Sequence, residues 1–314
     1  MMKQVICAAM MLMCVASYAQ PPMGGRGNGP RDGGMMPGKD SDSVFVELLN
    51  ANLKKFKQFT YQDEKTGQKM DYNLFVPAGY DGSTAYPLVL FMADASTVGK
   101  EVTAPLTQGY GALEFASDRD QQLHSSFVLV PQYTTWTVGE GIVKSDEVDM
   151  TIRLLQSVIE QYNVDTDRLY TTGQSMGGMM SFYFNIAYPD MFAASLFVSC
   201  QWDNSKMTDF GTKKFFYITS AGDDRASTGQ RGLAEVLNRQ NARMESALWS
   251  ARLPKEEQEQ LVRELIKRGS NINFITFEKG STLPDSGRGM EHMTSFDFAY
   301  KLDAVRDWLF EQHK

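Results

Sequence analysis

Short apolar runs alternate with amphipathic stretches along most of this chain, and the two periodicities predict two kinds of element. The runs 88–92, 127–130, 168–172, 195–199, 215–219 and 273–277 are rich in aliphatic, aromatic and β-branched residues and end in polar or glycine-bearing segments, which predicts buried strands. Val148, Ile152, Leu155, Ile159 and Tyr162 recur at helical spacing. The helix carrying them opens at Ser145, where Asp146 and Glu147 suit a positive N-terminus. Met179, Met180, Phe182, Tyr183 and Ile186 form a second stripe, and Phe298, Leu302, Val305 and Leu309 a third on one final helix. Upstream, a helix over 44–57 and an antiparallel pair over 59–62 and 70–76 open the folded part. Strands alternating with helices imply an α/β domain with a mostly parallel sheet covered on both faces.

The segment 227–269 is heavily charged and longer than a simple crossover requires. It reads as a helical insert whose second helix has one stripe, Leu261, Val262, Leu265 and Ile266, with Gly269 as C-cap. Packing on the domain edge and service as a lid or dimer contact both fit that pattern.

Candidate chemistry enters at Gly173-Gln174-Ser175-Met176-Gly177-Gly178, which follows a strand and precedes a helix. A serine between glycines in that context describes a strained nucleophile turn, because a tight turn excludes Cβ atoms on either side. Ser175 would stand at a helix N-terminus, where negative charge is favoured.

A serine alcohol needs a base. Of three histidines, His313 is the penultimate residue and His124 lies in a polar stretch before a strand. His292 sits in a glycine-bearing loop between the last strand and the last helix, which fits the chain order Ser, acid, His. The acid that orients it should follow the 215–219 strand, where Asp223 and Asp224 are adjacent. Asp203 is a more distant alternative.

The stretch 162–178, with Ala187-Tyr188-Pro189-Asp190-Met191-Phe192 downstream, resembles the secreted α/β-hydrolases grouped as predicted peptidases. That group is similar to polyhydroxybutyrate-depolymerase-like and feruloyl or acetyl-xylan esterases. Tyr72-Asn73-Leu74-Phe75-Val76-Pro77, Tyr86-Pro87-Leu88-Val89-Leu90-Phe91 and Asp307-Trp308-Leu309-Phe310 extend the likeness from about Phe56 to the end. The resemblance implies an α/β-hydrolase fold and a Ser175, Asp224, His292 triad, with Ser220-Ala221 standing where the group has His-Gly and Asp223 left as a turn or capping residue. It implies ester cleavage through an acyl-enzyme on small-molecule or carbohydrate esters. A serine peptidase and a non-catalytic binding protein on the same fold are the rival readings. It also implies that backbone amides of Met176 and Ala95 hold the oxyanion. Here the chain departs from the group: Met92-Ala93-Asp94-Ala95-Ser96-Thr97 replaces a His-Gly stretch and sets Asp94 beside a developing negative charge. Gln174 beside the serine, and Tyr133, Trp136 and Trp202 after strands at the same sheet edge, are candidate substrate contacts.

Residues 1–19 join Lys3, an apolar stretch and Ser17-Tyr18-Ala19, the pattern of a secretory signal peptide too short to span a membrane. A secreted or periplasmic location follows. Residues 20–43 read as a flexible Gly, Pro and Met-rich leader before a domain over 44–314. Cleavage after Ala19 would remove Cys7 and Cys14 and leave Cys200 as a buried apolar residue. The net charge of −7, without a basic aromatic face, argues against a nucleic-acid partner. The chain has no paired Cys/His spacing and no phosphate-binding glycine loop, so no metal or cofactor is expected. Oligomeric state is not legible.

Overall fold

A computed structural model describes residues 39–314. The expected signal peptide at 1–19 and most of the expected leader lie outside the described residues, which open with a short turn over Lys39–Ser41. Helix α1 (Ser43–Asn52) follows, with the Asp42 carboxylate accepting the Phe45 N–H at 3.1 Å. The antiparallel pair β1 (Phe56–Gln62) and β2 (Lys69–Phe75) comes next, then β3 (Tyr86–Met92), three short helices α2 (Ala104–Thr107), α3 (Gly111–Phe115) and α4 (Asp118–Leu123), and β4 (Phe127–Pro131). A hairpin of β5 (Val138–Gly139) and β6 (Ile142–Val143) precedes α5 (Glu147–Gln161). The remainder is β7 (Val164–Gln174), α6 (Met176–Ala187), β8 (Ala194–Val198), β9 (Phe215–Ser220), α7 (Asp224–Arg239), β10 (Glu245–Trp249), α8 (Lys255–Lys267), β11 (Ile272–Phe277), α9 (Glu291–Tyr300) and α10 (Asp303–Phe310).

The nine-stranded sheet has the order β1-β2-β4-β3-β7-β8-β9-β11-β10, antiparallel only where β2 meets its two neighbours. This is the α/β-hydrolase architecture. Alternate residues of each central strand feed two cores. Val89 and Phe91 join Ile218, Phe296 and Trp308 on the face covered by α1, α3 and α8 to α10. Leu88, Leu90 and Met92 join Leu155, Phe182 and Leu233 on the face covered by α5, α6 and α7. Both faces are buried, which is why these strands read as continuous apolar runs.

Two predicted elements differ. The segment 227–269 is not a helical insert: it contains β10, which adds an edge strand parallel to β11 and makes the region a regular crossover unit. Glu245-Ser246-Ala247-Leu248-Trp249 is a short edge strand in which Trp249 alone is buried and Leu248 on the outer face is exposed. Gly269 does cap α8, with φ 74° and its N–H on Ile266 C=O at 2.9 Å. The final helix is two helices. Leu302 is extended, and the Glu259 carboxylate on α8 accepts the Asp303 and Ala304 N–H groups at 2.7 and 2.8 Å. That distant cap satisfies the amides exposed by the break, and no local spacing announces it.

Two ion pairs anchor the periphery. Asp63, fully buried, takes Nε and Nη2 of Arg153 at 2.6 and 2.8 Å and ties the β1–β2 hairpin to α5. Arg306, also fully buried, forks onto both oxygens of Asp120 and joins α10 to α4.

Candidate active site

Strand β7 delivers Ser175 to the turn before α6 with φ 50° and ψ −117°. This is a region that costs a non-glycine residue of order 1–3 kcal/mol unless its surroundings enforce it. They do. A Cβ on Gly173 would meet the Gly177 carbonyl carbon at 2.4 Å, and one on Gly177 would meet Met92 O at 2.0 Å. One on Gly178 would meet Cys200 Sγ at 2.5 Å, so the three glycines let strand, helix and the neighbouring β3 and β8 ends close around the serine. Ser175 N–H donates to Val198 C=O at 3.1 Å, which fixes the turn to β8.

His292 stands at the start of α9 and reaches both other members of a relay. Its Nε2 is 2.8 Å from Ser175 Oγ and its Nδ1 is 2.6 Å from Asp223 Oδ2. With Nδ1–H donating to the carboxylate, Nε2 is left to accept the serine proton. The carboxylate that meets the imidazole is therefore that of Asp223, not the expected Asp224. Asp223 precedes α7, where its Oδ1 accepts the Ala226 N–H at 3.1 Å while Oδ2 faces the imidazole. Capping and orienting the histidine are one residue's work, so the capping role did not exclude the other. Asp224 is the first residue of α7 and is exposed. Asp203 is also elsewhere, capping a short turn through Ser205 N–H at 3.0 Å. His124 pairs with Asp307 at 2.9 Å and stacks on Phe310.

Supports for His292 come from residues no motif pointed to. The Glu291 carboxylate accepts Ser220 Oγ–H at 2.5 Å and Gly280 N–H at 2.9 Å, joining the end of β9 to the loop after β11. Ser220 is the residue that replaces the expected histidine of the acid loop, and its hydroxyl is used here. Ser199 Oγ meets Ser295 Oγ at 2.6 Å, and Ser295 donates to His292 C=O at 3.1 Å. Only their neighbourhood to His292 in the sequence could have flagged Glu291 and Ser295.

On the opposite side, Met176 N–H is the first amide of α6 and has no acceptor within the helix. Ala95 opens a short turn whose later amides are occupied: Ser96 N–H donates to Asp94 Oδ1 at 2.6 Å and Thr97 N–H to Asp94 C=O at 3.3 Å. A Cβ on Gly177 would meet the backbone of Met92 and Ala93, so the start of α6 lies against the chain that leads into this turn. Asp94 does not face the site as an unpaired charge. It is buried, and its Oδ2 accepts Gln108 Nε2 at 2.7 Å and Gln174 Nε2 at 3.1 Å.

Those contacts correct three of the four expected substrate residues. Gln174 spends its amide on Asp94. Tyr133 is fully buried with its hydroxyl 3.2 Å from Thr151 Oγ1, and Trp202 packs against the Tyr183 ring with 7% exposure. Trp136 remains open at 58% exposure. Its loop is pinned by Glu147, whose carboxylate accepts N–H and Oγ–H from both Thr134 and Thr135. Cys200 is a packing residue under Gly178, and burial pushes its thiol up.

The prolyl oligopeptidase family matches residues 135–300, a span that runs from the Trp136 loop through Ser175, Asp223 and His292. The chain belongs to that family. The chain is also similar to several esterases. Feruloyl esterase B of Piromyces equi is 30% identical over 124 residues, which is 38% of this chain and 22% of that enzyme. A thermostable esterase superposes with TM-score 0.67 at 24% identity, covering 84% of this chain and 64% of that one. A ferulic acid esterase from Anaeromyces mucronatus gives TM-score 0.50 at 13% identity over 78% of this chain and 89% of that one. The matched region is thus about a fifth of the Piromyces enzyme, and the structural likenesses speak for the fold.

Proposed function

We propose that this family member is a serine esterase working through an acyl-enzyme. The observation that carries the reading is the Ser175, His292, Asp223 relay, with contacts of 2.8 and 2.6 Å at a strained turn. Ser175 Oγ attacks the ester carbonyl as His292 Nε2 takes its proton. Asp223 holds the imidazole in the tautomer that can accept, and steadies the imidazolium that forms. The Met176 and Ala95 amides receive the negative oxygen of the tetrahedral species. His292 then protonates the leaving alkoxide, which departs and leaves Ser175 acylated. Water then adds to the acyl carbonyl as the same nitrogen takes its proton, and that proton passes to Ser175 Oγ as its bond to the acyl carbon breaks and the acid leaves.

For substrate class, the similarity to a feruloyl esterase and the exposed Trp136 support an acyl group, aromatic or carbohydrate-borne, beside that ring. Export through the 1–19 segment agrees with an extracellular polymer-derived substrate. A peptidase is the second reading, favoured by the family itself, whose name is that of an oligopeptidase. Purified protein assayed on p-nitrophenyl acetate, methyl ferulate and a chromogenic peptide separates the two. Ester turnover abolished by Ser175→Ala supports the proposal, and efficient peptide cleavage with both esters untouched replaces it.

A further inference from the structure

Asp94 is a carboxylate with 2% exposure whose three side-chain hydrogen bonds come from neutral donors. Oδ1 takes Ser96 N–H, and Oδ2 takes the amides of Gln108, just after α2, and of Gln174, the last residue of β7. Its own carbonyl takes Thr97 N–H and Oγ1–H at 3.3 and 3.1 Å. The residue after Asp94 offers one oxyanion amide, and the residue after Gln174 is the nucleophile. Strand register explains the meeting: β3 and β7 pair Met92 with Gly173, so the chain ends leaving both strands stay side by side. Only a carboxylate can accept on both atoms at once. An asparagine would turn a donor toward Ser96 N–H or toward the two glutamine amides.

We infer that Asp94 is a positioning residue: its bond to Gln174 clamps the Ala95 turn to the nucleophile turn and sets the gap between the Ala95 and Met176 amides. The inference rests on the acyl-transfer reading. An oxyanion hole acts by holding donors where charge develops, so a loosened clamp weakens the transition state more than substrate binding. It also gives the Asp94 departure from the related esterases a function, since the acid faces away into donors.

The test is steady-state hydrolysis of p-nitrophenyl acetate by Asp94→Asn, Asp94→Ala and Gln174→Ala, with Asp94→Ala/Gln174→Ala and Ser175→Ala alongside. Each clamp variant should lose about 10- to 100-fold in kcat with KM little changed, somewhat less than deletion of a whole oxyanion donor. Affinity for phenylboronic acid, which forms a tetrahedral adduct on the serine, should fall by a similar factor. The double variant should lose little beyond the worse single one, because both residues act through one link. If Asp94→Ala does not fold, Asp94→Asn and Gln174→Ala decide. Wild-type kcat in those variants, or a lowered melting temperature alone, overturns the clamp, and so do additive losses. Unchanged turnover in Ser175→Ala overturns the acyl-transfer reading and the clamp with it. An inactive Ser175→Ala beside fully active clamp variants overturns the clamp only.

Discussion

His292 Nδ1 meets Asp223 Oδ2 at 2.6 Å, while Asp224, one residue on, is exposed at the start of α7. Two identical side chains in adjacent positions therefore have unlike roles. Asp223→Asn should cut kcat/KM for p-nitrophenyl acetate by on the order of 10³–10⁴, because the amide favours the wrong imidazole tautomer. Asp224→Asn should stay near wild type. Comparable losses in the two would remove Asp223 from the relay.

Glu291 holds the histidine loop from behind, through Ser220 and Gly280. Glu291→Ala leaves a buried hydroxyl and an amide without their acceptor, at a cost of about 1–3 kcal/mol. Urea unfolding should show that loss together with lower kcat. Gly222→Ala should do similar damage, since its Cβ would stand 1.7 Å from Glu291 Oε1. Full stability in both variants would show the contact to be incidental.

The two tryptophans should separate. Trp136 is open, so Trp136→Ala should raise KM for methyl ferulate while leaving melting temperature and p-nitrophenyl acetate turnover close to wild type. Trp202 is packed on Tyr183, so Trp202→Ala should destabilise by about 3–5 kcal/mol whatever the substrate. Equal KM effects from the two would contradict this division.

The parts of this molecule legible from its sequence are those that local sterics and periodicity decide. The nucleophile turn is written in Gly173, Gly177 and Gly178, and the strands in runs buried on both faces. Choices made by tertiary contact were not legible. Asp223 and Asp224 differ only in which way α7 turns them. Gln174 reads as a substrate contact in the sequence because Asp94, 80 positions earlier, gives no local sign that it will take the amide. Tyr133 and Trp202 look like site aromatics until the core is assembled around them. The same holds for β10, whose pattern is half polar at a sheet edge, and for the break at Leu302, capped by Glu259 from another helix.

Acid should act through Asp63. The Arg153 hydrogen bonds hold its carboxyl well below its ordinary value of 3.8, against the opposing effect of burial. A depressed folded value means that the contribution to stability is complete above the unfolded value and is lost as pH falls below about 4 toward the folded one. Melting temperature should therefore drop below about pH 4. In Asp63→Asn it should be lower at neutral pH and fall less steeply with acid. An unchanged acid slope in that variant would place the sensitivity elsewhere.

The central claim is that Ser175 is a nucleophile activated by His292. A fluorophosphonate probe followed by peptide mass mapping tests it most directly. Stoichiometric modification of Ser175 in the wild-type protein is expected, with none in Ser175→Ala and a rate lowered by orders of magnitude in His292→Ala. An unlabelled Ser175 in folded protein, or labelling undiminished without His292, would contradict the account.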